Sequence, residues 1–239
     1  MKFKKPKFWD KDKLSFFAII LFPFSLITFI AGKLKIKSKI KFQNIKTICV
    51  GNIYLGGTGK TPISIQINDI LKKHKYNTAF IKKKYEDQID EQKILAKRGK
   101  LYCEKNRIEA IKKAVNDKID IAIFDDGLQD SSIFYDISFV CFNTNNFAGN
   151  KLLIPSGPLR ESLANLKNYD AIFLNGKAEN TFDIINDIKS IAPNIKIFEA
   201  DYIPVEIDKF NKKLNYLAFS GIGNPYSFEK ILKDNNFTI

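Results

Sequence analysis

Three stretches of this 239-residue chain carry residue types at spacings suited to phosphate chemistry. The first is Val50-Gly51-Asn52-Ile53-Tyr54-Leu55-Gly56-Gly57-Thr58-Gly59-Lys60-Thr61-Pro62, set between an apolar run and an amphipathic segment. A glycine-rich turn that opens a helix points backbone N–H groups at phosphate oxygens. Lys60 then supplies positive charge to the β/γ-phosphates, and the Thr61 hydroxyl is a ligand for Mg²⁺. Tyr54, Leu55, Gly56, Gly57, Thr58, Gly59, Lys60 and Thr61 are therefore the candidate nucleotide-binding residues, although Tyr54 stands where the usual pattern has Gly. The competing reading is a plain strand–turn–helix. The second stretch, Ile121-Ala122-Ile123-Phe124-Asp125-Asp126-Gly127-Leu128-Gln129-Asp130, is an apolar strand ending in carboxylates. Such an end is the companion of a phosphate loop and holds Mg²⁺ directly or through water. Asp125 and Asp126 are both metal candidates, and neighbours on a strand point to opposite faces, so the choice between them stays open. Taken alone, Asp-Asp-Gly is also a good turn sequence. The third stretch is Leu153-Ile154-Pro155-Ser156-Gly157-Pro158-Leu159-Arg160-Glu161. Its two prolines and a glycine just before the charged pair make a stiff, shaped loop. The Arg160 guanidinium forks onto phosphate oxygens, and Glu161 either orients Arg160 or binds substrate hydroxyls. An ordinary helix start with surface charges is the alternative.

These residues need a frame. Apolar runs at 47–50, 78–81, 119–124, 137–142, 171–174, 195–198 and 216–219 read as buried strands. Helical patterns occupy 61–73, 107–115, 182–191 and 226–232. The alternation predicts an α/β fold with a mostly parallel sheet, with ligands at the carboxyl ends of its strands. Residues 82–100 are charged and aperiodic, and read as an exposed loop or a short helix.

Apolar residues make up 45% of the chain, enough for a sizeable core. The net charge is +13, but residues 1–41 hold eleven Lys and two Asp and so carry most of it. That excess brackets the uncharged run 14–31, which as a helix would be roughly 27 Å long. Lys2, Lys4, Lys5, Lys7, Lys11 and Lys13 precede it; Lys33, Lys35, Lys37, Lys39 and Lys41 follow. Lysines on both sides suit anionic headgroups at the cytoplasmic face and leave the orientation of a span undefined. Pro23 is expected to kink the helix. No small-residue cleavage site follows the run, which argues against a signal peptide; a buried core helix is the other alternative. Residues 1–41 are thus expected to be a basic-flanked membrane anchor, spanning or lying as a kinked hairpin in one leaflet, and 42–239 a P-loop kinase domain. Cys49, Cys103 and Cys141 are scattered and His74 is the sole His, which excludes a structural zinc site and a disulfide framework. Nucleic acid is not an expected partner, since little positive charge lies outside the anchor and no aromatic-basic platform is present.

In this order the three stretches resemble the tetraacyldisaccharide 4'-kinase family of lipid A biosynthesis. Its hallmarks are Val-Gly-Asn…Gly-Gly-x-Gly-Lys-Thr-Pro, Asp-Asp-Gly-(Phe/Leu)-Gln-His and Leu-Pro-x-Gly-Pro-(Leu/Met)-Arg-Glu, met here at 50–62, 125–129 and 154–161. The Ala218-Phe219-Ser220-Gly221-Ile222-Gly223-Asn224-Pro225 run is similar to the family's Ala-Gly-Ile-Gly-x-Pro turn. The resemblance implies a P-loop NTPase-like sheet flanked by helices, with a membrane-associated amino-terminal helix. It implies transfer of the γ-phosphoryl group of ATP, with Mg²⁺, to the 4'-hydroxyl of a lipid A disaccharide precursor. It also implies a place on the cytoplasmic face of the inner membrane of a Gram-negative-type bacterium, where the inner-leaflet substrate lies. Lys60 and Arg160 are then catalytic, Asp90 of Ile89-Asp90-Glu91-Gln92 is the base, and Gln129, Arg160 and Glu161 bind substrate. Of the family's Ser-Arg-Gly-Tyr-Gly only Tyr85 is matched in Lys82-Lys83-Lys84-Tyr85, and Asp130 stands where the family has His. The family's carboxy-terminal Asp-His pair has no counterpart, so the carboxy-terminal portion is expected to be missing, from a fragment or a divergent enzyme. Two other readings are a membrane-attached regulatory P-loop ATPase, which has no need of Gly-Pro-Leu-Arg-Glu, and a non-catalytic kinase remnant.

Overall fold

Strands that are apolar on both sides, such as Ile121-Ala122-Ile123-Phe124, can be satisfied only by a sheet covered on both faces. The computed structural model, which describes residues 5–10, 14–34, 38–221 and 225–239, has that architecture. Lys2, Lys4, Lys11, Lys13, Lys35, Lys37 and the 222–224 part of the carboxy-terminal turn lie outside the described residues. In chain order the elements are α1 (Phe16–Leu34), β1 (Lys46–Gly51), α2 (Lys60–Lys73), β2 (Thr78–Lys83), α3 (Ile89–Arg98), β3 (Lys100–Glu104), α4 (Arg107–Asn116), β4 (Ile121–Asp125), β5 (Ile137–Asn143), β6 (Ala171–Asn175), α5 (Thr181–Ile191), β7 (Lys196–Ala200) and α6 (Pro225–Asp234).

The seven strands form one sheet in the order β3-β2-β4-β1-β5-β6-β7, and every pairing is parallel. Alternation along the strands divides the core. Ile48, Val50, Phe80, Ile121 and Ile123 pack with Ile63 of α2 and Leu95 of α3. Cys49, Ala79, Ile81, Ala122 and Phe124 pack with Ala110, Ile111 and Ala114 of α4 on the other face. Beyond β5, Val140, Phe142, Ile172 and Leu174 pack with Ile184 and Ile188 of α5. This parity matters for the site: Lys82 and Asp125 continue the Phe80 and Ile123 series and so lie on the α2 face.

Two sequence expectations need correction. The run 216–219 is not a strand: Leu217 and Phe219 are 90% and 87% exposed. A strand needs a ladder partner, and among the described residues this segment finds only the Asn215–Thr238 bridge and one bond from Tyr216 N to Thr238 O. Conversely, β3 was not expected, because its apolar part, Leu101-Tyr102-Cys103, is only three residues long between Lys100 and Glu104; it is an edge strand, where half-exposed residues suffice. The charged 82–100 stretch resolves into the end of β2, a short 3₁₀ turn at Glu86–Gln88, and α3.

The amino-terminal segment packs on the domain. Trp9 is buried, its indole Nε1 donates to Pro155 O at 3.0 Å, and Tyr54 Oη donates to Asp10 Oδ1 at 2.6 Å. Helix α1 contains Pro23 without ending there. One face of it is polar and tied down: Ser25 Oγ contacts Leu153 O at 2.8 Å and Ser156 Oγ at 2.9 Å, and Thr28 Oγ1 donates to Ile154 O at 2.8 Å. Phe17, Ile20, Phe24 and Ile27 are exposed. Among the described residues no helix is long and apolar enough to cross a membrane.

Candidate active site

The carboxyl ends of β1, β2, β4 and β6 converge on one rim, and the chemistry-bearing residues stand there. The loop after β1 holds Gly56 and Gly57 exposed and ends on Gly59, the left-handed N-cap of α2 with φ 81°. A Cβ on Gly59 would also lie 2.7 Å from Tyr202 Oη and 3.0 Å from the Asn175 amide, so this position requires Gly. Asn175 Nδ2, at the end of β6, donates to Thr58 O at 2.6 Å and shapes the loop from behind. Among the described residues the buried Thr58 Oγ1 has no hydrogen-bond partner. Leu55 N donates to Pro158 O at 2.8 Å and Arg160 N to Ile53 O at 2.7 Å. Those two bonds stitch the Gly-Pro-Leu-Arg-Glu loop onto the front of the glycine loop. Tyr54 lies buried under this seam, with its ring against Gly56.

The adjacent carboxylates take different roles. Asp125 is buried on the α2 face: Thr61 Oγ1 lies 3.4 Å from its Oδ2, and Ser64 Oγ donates to its Oδ1 at 3.2 Å. Lys82 Nζ donates to Asp125 Oδ2 and to Glu91 Oε2, each at 2.7 Å. Burial opposes the Lys82 ammonium, but the charges and hydrogen bonds of Asp125 and Glu91 outweigh it and raise the pKa. Asp126 has φ 56° and turns away from Asp125. Its carboxylate sits 3.9 Å from Lys60 Nζ and takes both short contacts from Arg160 Nη1 at 3.2 Å. Burial works against the charged form of Asp126, yet Lys60 and Arg160 prevail and hold its pKa below the ordinary 3.8.

That shift fixes the sign of a pH effect. A depressed carboxylate contributes stability that is complete above its unfolded value and is lost as pH falls through the lower folded value. Urea midpoints measured through the acid range should therefore fall below about pH 3.8 in the parent chain, and Asp126→Asn should flatten part of that fall. An identical acid profile for parent and variant would count against the Lys60–Asp126–Arg160 network.

Arg160, Gln129 and Glu161 form a relay. Arg160 Nη1 donates to Gln129 Oε1 at 3.1 Å, and Gln129 Nε2 donates to Asn52 O at 2.9 Å and Glu161 Oε1 at 3.2 Å. Glu161 is fixed in turn by Tyr169 Oη and Asn165 Nδ2, at 2.7 and 2.8 Å. It orients Arg160 through Gln129 rather than by touching it. A cleft of about 610 Å³ opens beside this relay, lined by Lys83, Arg107, Asp126, Gln129, Asp130 and Arg160 among others.

Of the sequence candidates, the loop residues, Thr61, Asp125, Asp126, Gln129, Arg160 and Glu161 meet at this rim. Asp90 lies exposed on the first turn of α3, outside the cleft lining, while its neighbour Glu91 reaches Lys82. Sequence reasoning missed four contributors: Lys82, Glu91, Asn175 and Arg107. Lys82 and Asn175 end parallel strands, a position that favours ligands. Arg107 is one of three arginines; its guanidinium donates to Asp126 O and, at 3.2 Å, to Asp130 Oδ2. Asp130 therefore pairs with Arg107 where a His would offer no such charge.

The rim offers hard oxygen donors at Thr61 and Asp125, which suit Mg²⁺. Among the described residues no group of three His, Cys, Asp or Glu gathers around one point, so a metal here needs oxygens from a bound phosphate as well.

Residues 17–239 match the family model for tetraacyldisaccharide-1-P 4'-kinase, LpxK. The tetraacyldisaccharide 4'-kinase of Pelagibacter ubique (strain HTCC1062) is 53% identical over 239 residues, covering 100% of this chain and 76% of that protein. The Rickettsia bellii (strain OSU 85-389) protein of the same name is 36% identical over 259 residues, covering 100% of this chain and 78% of its own length. Among solved structures, LpxK from Aquifex aeolicus in complex with ATP superimposes with a TM-score of 0.68 at 19% identity, covering 93% of this chain and 79% of that one. That last likeness speaks to the fold.

Proposed function

The chain belongs to the tetraacyldisaccharide 4'-kinase family, and on that premise we propose how its residues carry out ATP-dependent phosphorylation of the 4'-hydroxyl of a tetraacyl disaccharide in lipid A biosynthesis. The observation that carries the reading is the seam between the glycine loop and the Gly-Pro-Leu-Arg-Glu loop, which joins a nucleotide cradle to a cationic cleft.

The N–H groups of Gly56 to Gly59 and the amino end of α2 cradle the phosphates of ATP, helped by the helix dipole. Lys60 and Arg160 stabilise negative charge as it builds on the transferred phosphoryl group. Both start from Asp126, which keeps them aimed at the junction of loop and cleft. Thr61 and Asp125 would hold Mg²⁺, which would supply positive charge to offset that of the phosphates. Gln129 and Glu161 keep Arg160 in register, and the cleft beside them, with Lys83 and Arg107, receives the sugar end of the substrate. Asp90 is the proposed base for the 4'-hydroxyl proton: it neighbours Glu91, whose carboxylate already joins the Lys82–Asp125 cluster. The test is transfer of labelled phosphate from ATP to a tetraacyl disaccharide 1-phosphate in detergent. ATP hydrolysis stimulated by a protein partner, with no lipid product, would overturn it in favour of a regulatory ATPase.

Residues 1–41 act as an interfacial anchor on the inner membrane's cytoplasmic face. Helix α1 is pinned through its middle by Ser25 and Thr28, so that face stays on the domain while Phe17, Ile20, Phe24 and Ile27 enter the acyl boundary. Flanking lysines add attraction to anionic headgroups. The chain should float with vesicles of anionic lipid, and replacing those four residues with Ser should shift most of it to the soluble fraction. Flotation unchanged by the replacement would refute this anchoring face.

A further inference from the structure

Lys82 occupies an unusual position. Its ammonium is buried at the carboxyl end of β2, with 2.7 Å contacts to both Asp125 Oδ2 and Glu91 Oε2. Asp125 Oδ2 is also the oxygen that Thr61 Oγ1 approaches, at 3.4 Å. Asp125 and Glu91 thus share one cation, and that cation belongs to the chain. An Mg²⁺ ion held by Thr61 and Asp125 requires the same oxygen. Two cations on one buried carboxylate oxygen repel each other, so the ammonium and the metal exclude one another there. Lys is suited to yield, being a compact charge on a flexible four-carbon stem. An exit exists on the Glu91 side, where that side chain is 43% exposed against 0% for Asp125.

We propose that Lys82 is a built-in counter-ion that, in the metal-free protein, occupies the Asp125 oxygen needed by a divalent metal at Thr61 and Asp125. Lys82 has to release Asp125 before metal and nucleotide can be bound together, and it thereby sets the metal requirement of the site. The inference rests on the nucleotide reading of the Gly56–Thr61 loop.

Two measurements test it on the full chain, with a non-hydrolysable ATP analogue and Mn²⁺ as probes. Protein-bound Mn²⁺, counted by electron paramagnetic resonance, should bind Lys82→Gln at least about tenfold more tightly than the parent, the equivalent of one charge-assisted hydrogen bond no longer opposing it. In the parent, labelling by an amine-acylating reagent read by mass spectrometry should leave Lys82 protected without metal and modified once Mn²⁺ and the analogue are present. Equal or weaker Mn²⁺ binding by a folded Lys82→Gln would overturn the proposal. Protection of Lys82 that persists with metal and analogue would overturn it too, and this second readout decides the matter if the variant does not fold. Absence of analogue binding to the parent would overturn the nucleotide reading and this inference together; binding with Lys82 still protected overturns only the latter.

Discussion

Lys60→Ala lowers kcat for phosphoryl transfer by about 10²–10³-fold, the range found when one preorganised donor to developing transition-state charge is removed. Lys60 begins α2, directly after the left-handed Gly59 cap, so its backbone position is set by the loop that cradles the phosphates. Its Nζ lies 3.9 Å from Asp126 Oδ2, a loose contact that leaves ammonium protons for a ligand. The expected signature is a kcat that falls further than ATP affinity, because the charge being stabilised grows only in the transition state. Folding should be little affected, with a change within about 1 kcal/mol, since Asp126 keeps Arg160. Kinetics at saturating ATP in detergent, with a urea titration alongside, separate the two effects. A kcat within a few-fold of the parent would exclude Lys60 from the chemistry.

Asp125→Ala should cost about 3–5 kcal/mol of stability, the penalty for breaking a buried ion pair from one side. The Asp125 and Lys82 side chains are 0% and 3% exposed, and without Asp125 the ammonium keeps only its bond to Glu91. Ser64 Oγ also loses its acceptor. A double variant, Asp125→Leu with Lys82→Met, should recover much of that loss, because no uncompensated charge stays buried, yet it should have no measurable transferase activity. Urea denaturation gives the first quantity and the lipid-phosphorylation assay the second. If Asp125→Ala unfolds within about 1 kcal/mol of the parent, the Lys82–Asp125 pair is not the buried bond described here.

Local pattern made several features of this chain legible. Short continuous apolar runs located six of the seven strands, and Gly-Gly-x-Gly-Lys-Thr between a strand and a helix marked the cradle. These signals are short-range: an apolar run, a glycine's freedom and a helix start are all decided within a few residues. Where local pattern was weak it failed, as with edge strand β3, or misled, as with the apolar 216–219 run, whose fate depended on a partner strand and not on its own composition.

The sequence by itself determined the parallel α/β frame, the glycine cradle with Lys60 and Thr61, the acidic end of β4 and the likeness to a kinase family. Only the tertiary structure decided how the adjacent carboxylates divide. Strand parity turns Asp125 toward Thr61 and Lys82, and a left-handed backbone turns Asp126 toward Lys60 and Arg160. It also decided that Lys82 faces a buried carboxylate, that Glu161 works through Gln129, and that Ser25 ties α1 to the 153–156 loop. The physical reason is common to all of these. Each is a contact between residues at least 30 positions apart, and it exists only because sheet order brings strand ends side by side and buried charges must then find partners there.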